Sequence, residues 1–350
     1  MMGLFRIFLT ISIICYHVGP ILGFMIGGPV YGTVAVWVFF ILAGFFAAMT
    51  LNEKERYKSY KNYLFTRILR VYPTYYLVLF LALIFFNYAY VANFPNIKSF
   101  ISIFIFQLPL LGLDNSLNLN LNSDGSLAFT GTYYNSLMYR GLILVPQAWV
   151  LGIIMSFYIL APFLVRRSIH FQIALTAFGI GSEVLLSTIG WNPYLILRLP
   201  FVQLAYFLAG SLAYQLYLRL KLIKLHPSIP FLAVISVFFI TGFYDYLPIG
   251  PLTQIPPAHL KLYYFLIITV SLPFMMALPT RFDAQLTAIS YPMYLIHPLV
   301  AASLRPIITA DLTLATIIIS FILSILIIYL LRPIEKIRQS HPRLLSKTCQ

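Results

Sequence analysis

Long apolar runs alternate with short polar intervals along the whole chain. Candidate membrane spans fall at about 4–26, 30–51, 71–91, 143–165, 171–190, 196–218, 229–247, 261–279, 285–305 and 312–331. Each is near the roughly 18 to 20 residues that cross a ~30 Å hydrocarbon core as a helix. The pattern predicts an all-α fold, a polytopic membrane helix bundle of about ten transmembrane helices in one domain covering 1–350. Segment 97–113 is apolar but short, and it leads into an Asn-rich, weakly charged stretch from Asp114 to Arg140.

Lys and Arg positions orient the bundle. With 97–113 left out of the span count, alternate loops holding Arg6, the 52–70 segment, Arg166, Arg167, Arg219, Lys221, Lys224, Arg281 and the C-terminal tail collect 18 of the 23 basic residues. By the positive-inside rule this side is cytoplasmic. Both termini then lie in the cytoplasm of a multi-pass protein of the cell membrane, with an external loop at about 92–142 and a short basic tail at 332–350. Counting 97–113 as an eleventh span would move Arg166 and Arg167 outside, so a re-entrant or interfacial helix is expected there.

Composition agrees: 61% of residues are hydrophobic and 9% charged, against about 25% charged in ordinary soluble domains. The net charge of +14 is a topology signal rather than a nucleic-acid footprint, because the cations sit between apolar runs. Cys15 and Cys349 lie at opposite ends of the chain and suggest neither a disulfide framework nor a metal site. The first run lacks an evident cleavage site and reads as a retained helix.

Ionisable side chains within spans are costly and therefore informative. Arg6 and His17 are eleven residues apart on the first helix, which returns them to within about 20° of one face, ~16 Å apart along the axis. Arg6 is expected at the cytoplasmic end and His17 near the middle of the span. A topology anchor and an interhelical hydrogen bond would explain the two equally well on spacing alone. On the ninth span Ser290, Tyr294 and His297 share one stripe, either an interfacial belt or the lining of a site. Arg67 and Arg70, at i and i+3, suit phosphate groups of a substrate or of lipid headgroups. Glu183, a carboxylate well inside a span, is expected to pair with a histidine or arginine of a neighbouring helix.

These residues, with several others, resemble acyltransferase family 3, membrane proteins that O-acylate carbohydrate hydroxyls. The likeness is carried by the Arg6 to His17 spacing, by Phe39-Phe40-Ile-Leu-Ala-Gly44-Phe45, and by Arg67-Ile-Leu-Arg70-Val-Tyr-Pro73. Trp149 with Phe157-Tyr158 and Pro162, Phe207-Leu-Ala-Gly210, and Ser290-Tyr291 with Tyr294-Leu295 and His297 complete it. Two positions depart from the family pattern: Ile154 stands where many members carry an acid, and Trp37 where an Asp is frequent.

The resemblance implies transfer of an acyl group, most often acetyl, from cytoplasmic acyl-CoA to a hydroxyl of a cell-envelope or secreted glycan, or of a lipid-linked sugar. Arg67 and Arg70 would hold the CoA phosphates, Arg6 would orient the donor, and His17 would act as general base or form an acyl-histidine. Ser290, Tyr291, Tyr294, His297, Trp149 and Tyr158 would line the acceptor side, with Glu183 a possible acidic partner. Acyl-CoA is then a donor substrate, and neither a permanently bound cofactor nor a metal is expected. A glycan or lipid exporter is the alternative function.

Overall fold

The computed structural model describes residues 1–21, 31–53, 57, 59–92, 94–116, 118–129, 141–223, 226, 228–243, 258–278, 280–308 and 311–347, without the side chains of 31, 86–92, 240–243, 258–264 and 341–347. Lys54, Lys224, Arg140, Cys349 and the 130–140 part of the expected external loop lie outside these residues. Each of the ten expected spans contains a helix: α1 (Met2–Val18), α2 (Tyr31–Glu53), α3 (Tyr60–Ala92), α6 (Trp149–Leu164), α7 (Ile169–Thr188), α9 (Pro200–Leu220), α10 (Ser228–Phe243), α11 (Ala258–Met276), α12 (Asp283–Leu304) and α13 (Leu312–Leu330). Shorter helices are α4 (Ile97–Gln107), α5 (Leu113–Ser116) and α8 (Pro193–Leu197), and α14 (Arg332–Lys347) follows the last span. Among the described residues, six helices are long and apolar enough to cross a membrane.

Two boundaries depart from expectation. The first helix ends at Val18 instead of continuing to 26, because Gly19 adopts φ 136° and donates back to the Cys15 carbonyl while Pro20 cannot prolong the helical ladder. His17 therefore occupies the last turn of α1, not its middle. The third helix starts at Tyr60, eleven residues before the expected 71, and its 33 residues rise ~50 Å. Arg67 and Arg70 thus lie inside a continuous helix instead of at its start.

Lipid tails are as apolar as Leu, so burying a side chain against another helix gains little from the hydrophobic effect; close packing and interhelical hydrogen bonds hold such bundles. The closest joint is between α2 and α9. A Cβ on Gly44 would stand 1.7 Å from the Phe207 carbonyl oxygen, and one on Gly210 would stand 1.8 Å from that of Ile41, so only glycines allow the two backbones to touch. Beside this joint Phe40, Phe157 and Phe207 interlock α2, α6 and α9, with ring centroids 5.8 and 5.1 Å apart for the first and second pairs. α13 uses the same logic with hydroxyls. Thr313, Thr316, Ser320 and Ser324 form its buried stripe, whereas Ile318, Ile322, Ile325 and Leu326 are exposed.

Segment 97–113 is not one continuous helix. α4 is capped by Asn96, whose side chain accepts from the Ser99 amide at 2.9 Å, and its 11 residues rise only ~16 Å. The carbonyls released at its far end meet hydroxyls of α3: Tyr75 donates to Gln107 at 2.5 Å, Tyr76 to Leu108 at 3.0 Å and Tyr72 to Pro109 at 2.5 Å. Backbone that stops inside a bundle must find such partners. The chain turns at Leu110 (φ 60°) and Gly112 (φ 84°), passes through α5, and forms the antiparallel pair β1 (Leu119–Leu121) and β2 (Leu127–Phe129).

α1 and α12 run parallel. The Met1 amino group binds Asp283 Oδ2 at 2.6 Å at one end, and His17 meets His297 at the other. At that second end Thr313 of α13 donates to the Gly19 carbonyl at 3.0 Å. Residues 332–347, expected as a tail, form a helix packed against α3 and α13. Glu335 staples it by accepting from Arg338 at i+3 and Gln339 at i+4.

Candidate active site

Two helices deliver the arginines. Arg6 of α1 and Arg70 of α3 line a cavity of about 650 Å³ at the Met1 end of the bundle, together with Tyr291 of α12 and residues of α14. An inner pocket of about 100 Å³ shares Arg6, Phe46, Arg70 and Tyr291 with that cavity and continues along Ile154, Tyr158, Ser290 and Tyr294. Asp283 also lines the outer cavity, but its carboxylate is occupied by the Met1 amino group, the Gly3 amide and Thr280. The Arg6 guanidinium stacks on Phe46 with its carbon 4.8 Å from the ring centroid, and its buried Nε has no hydrogen-bond partner.

Arg67 stands apart from its neighbour. It is buried between the rings of Tyr63 and Tyr158, 4.9 and 4.8 Å from their centroids, and lines neither cavity. Its Nε and Nη2 have no hydrogen-bond partner. A buried donor left unsatisfied costs about 1–3 kcal/mol, more when charged, so the Arg6 and Arg67 donors together make this end of the bundle receptive to an anion.

Pro73 and Pro298 shape the site through the hydrogen bonds they cannot make. Pro73 leaves the Leu69 carbonyl without its helical donor, and both residues line the outer cavity; one turn away Tyr291 ties α12 to α3 by donating to the Val71 carbonyl at 2.7 Å. Pro298 likewise leaves the Tyr294 carbonyl free of a helical N–H, and His297 Nδ1 approaches that carbonyl at 2.7 Å. A carbonyl only accepts, so His297 carries its proton on Nδ1. Its Nε2 is then an acceptor, which faces His17 Nδ1 at 2.8 Å. His17 must in turn carry its proton on Nδ1, and its Nε2 keeps a lone pair with no hydrogen bond among the described residues. The rings stack with centroids 5.1 Å apart and planes 12° from parallel; His297 is wholly buried, whereas His17 is exposed among the described residues.

The residues expected on the acceptor side divide between the two ends. Ser290, Tyr291 and Tyr158 stand with the arginines, because α12 climbs ~10 Å between Ser290 and His297. Tyr294 lies between: its ring lines the inner pocket, its hydroxyl donates to the Gln147 carbonyl at 2.5 Å, and its centroid is 6.1 Å from that of His297. The Ser290 hydroxyl donates to Thr287 of its own helix. Trp149, at the start of α6, is partly buried against the core and lines neither cavity.

Glu183 has a tyrosine as one of its partners. Tyr206 donates to it at 2.9 Å, and the Tyr206 ring stacks on Trp37 at 5.3 Å and 6°. Glu183, Tyr206 and Trp37 line neither of these two cavities, whereas Ile154 lines the inner pocket. Sequence reasoning missed Gln147, whose side chain donates to the Leu295 carbonyl at 2.6 Å and whose own carbonyl holds Tyr294. Pro298 was the available signal for the carbonyl geometry, since a proline inside a helix always releases the carbonyl four residues before it.

A family model for an acyltransferase domain, Acyl_transf_3, matches residues 2–332. No curated protein and no solved structure matches the chain. Both arginine-bearing helices and the His17–His297 pair fall within the matched residues, as do the six helices long and apolar enough to cross a membrane, and the chain belongs to acyltransferase family 3 as a membrane acyltransferase.

Proposed function

We propose that this acyltransferase moves an acyl group, acetyl in the simplest case, from acyl-CoA to a hydroxyl of a cell-envelope or secreted glycan. The observation that carries this reading is the arginine-lined cavity and the inner pocket that shares its arginines and extends to Tyr294, whose ring lies 6.1 Å from that of His297. Arg6 and Arg70, supported by Arg67 behind Tyr158, hold the phosphates at the cytoplasmic end. The pantetheine arm follows the narrower pocket, whose lining is mostly apolar.

At the far end His17 Nε2 takes the proton of the acceptor hydroxyl as its oxygen attacks the thioester carbonyl. The tetrahedral centre collapses with loss of the C–S bond, and the departing thiolate recovers the proton from His17. His297 holds His17 in the required tautomer and stabilises the imidazolium while it lasts. In the acyl-histidine variant the same lone pair attacks the carbonyl directly. Both termini are then cytoplasmic, and the acceptor comes from the opposite side or from the lipid phase.

The test is the ester content of the host's surface glycans by mass spectrometry in a deletion strain and its complemented parent. Loss of O-acyl groups on deletion, with polymer export intact, supports the enzyme. Unmodified polymer accumulating in the cytoplasm without any change in ester would favour an exporter instead.

A further inference from the structure

The family match stops at residue 332, yet the outer cavity does not. Ile334, Glu335, Arg338 and Gln339 of α14 form part of its wall, together with Arg6 and Arg70, and α14 packs against α3, which carries Arg70. Arg338 and Glu335 lie within electrostatic reach of Arg70, so this helix adds charge to the cavity.

The Glu335–Arg338 pair is built to leave the guanidinium usable. Arg338 donates to Glu335 through Nε at 2.7 Å and through Nη2. An arginine has five N–H donors in a fixed fork, so the Nη1 pair and the second Nη2 hydrogen stay available on the far side. Glu335 is also held by Gln339 Nε2 at 2.7 Å. Burial pushes the Glu335 carboxyl up, but the hydrogen bonds from Arg338 and Gln339 and the charges of Arg338 and Arg70 more than offset it and hold the group below the ordinary carboxylate range. Glu335 therefore stays ionised and fixes Arg338 on the cavity wall, at 24% side-chain exposure.

We propose that Arg338 is a third phosphate-binding guanidinium of the donor site, supplied by a helix beyond the family domain and serving the nucleotide end of a CoA-type thioester. The proposal rests on the reading of the cavity as the donor site. Arg6 and Arg70 line the cavity from α1 and α3, and Arg338 lines it from α14. A ligand with several phosphates meets guanidinium groups from three helices, in a volume of about 650 Å³, within the roughly 300–1,000 Å³ of small-molecule sites. An anionic lipid headgroup offers the same phosphate chemistry without the nucleotide, so the two sources need separate arms.

The full chain, purified into nanodiscs of neutral phosphatidylcholine, would be titrated calorimetrically with coenzyme A and with pantetheine, which has no phosphate. Arg338→Gln is expected to weaken coenzyme A binding by roughly tenfold, the scale of one charge-assisted contact, and to leave pantetheine binding as it was. Arg338→Lys should recover part of the loss, which a merely misfolded α14 would not. The proposal is overturned if Arg338→Gln binds coenzyme A like wild type while Arg70→Gln does not; the donor site then survives without α14. It is overturned equally if Arg338→Gln alters only the binding of vesicles containing phosphatidylglycerol, which would make α14 a lipid contact. Absence of coenzyme A binding by the wild type would remove the donor-site reading itself.

Discussion

Pro298 and His297 are chain neighbours with opposite effects on one carbonyl: the proline withholds a donor from Tyr294 and the histidine supplies one, at 2.7 Å. That exchange fixes the protonation pattern of both imidazoles without any carboxylate. Pro298→Ala returns a helical N–H that competes for the Tyr294 carbonyl. The fold should be at least as stable in a thermal melt, because an interior helix position is relieved of proline. Turnover is expected to fall on the order of tenfold, the usual cost of losing a group that orients a functional imidazole, with little change in KM for the donor.

His297→Phe keeps a ring of similar size next to His17 but removes the acceptor at Nε2. The lone pair of His17 is then no longer confined to its Nε2. The expected result is a lower kcat with donor KM unaffected, measured by release of free CoA from acyl-CoA in the presence of acceptor. Equal loss in both constants would show that the pair acts in donor binding instead.

Gly44→Ala and Gly210→Ala test the α2–α9 joint. Each introduced methyl would overlap a backbone carbonyl, which cannot move aside as a flexible side chain would. Destabilisation of about 1–3 kcal/mol or more is expected, read as a lowered melting temperature in detergent. Gly181, with open space around it, is the control at which alanine should be tolerated.

Asp114, on α5 outside the spans, has its carboxyl pushed up to about 6 by burial, which exceeds the lowering by hydrogen bonds from the backbone amides of Asp114 and Asn115 and by the charge of Arg198. A raised folded-state value means that the folded protein retains the proton longer than the unfolded chain. Stability contributed by this group is present below its ordinary value of about 4 and is lost as pH rises through about 6. Asp114→Asn should flatten that loss across the same window, followed by thermal unfolding at a series of pH values.

Much of the bundle is legible from the chain because lipid imposes a single length scale. Every expected span holds a helix, and in the short 97–113 segment the helix ends at Gln107, where the carbonyls of residues 107–109 accept from Tyr72, Tyr75 and Tyr76. The errors came from local punctuation overridden by apolar continuity. Gly19-Pro20 ends α1 inside an unbroken hydrophobic run, which moves His17 to a helix terminus. At the site, one-helix spacing correctly placed Arg6 and His17 on one helix and Ser290 to His297 on another. It gave no means of knowing that the two helices are parallel and so bring the two histidines together. Glu183 shows the same limit: Tyr206, which donates to it, lies on another helix, and no spacing along the chain connects them. The helical form of the tail was not legible because the Glu335–Arg338 staple is an i, i+3 feature that apolar windows do not detect.

The most direct measurement places His17→Ala beside wild type in the deletion strain, at matched membrane abundance, with O-acyl content of the surface glycan read by mass spectrometry. Wild type should restore the ester and His17→Ala should not, its rate reduced by roughly 10²–10⁴-fold, the range for a lost general base. Equal restoration by both proteins would contradict the assignment of the His17 lone pair as the group that acts on the acceptor hydroxyl.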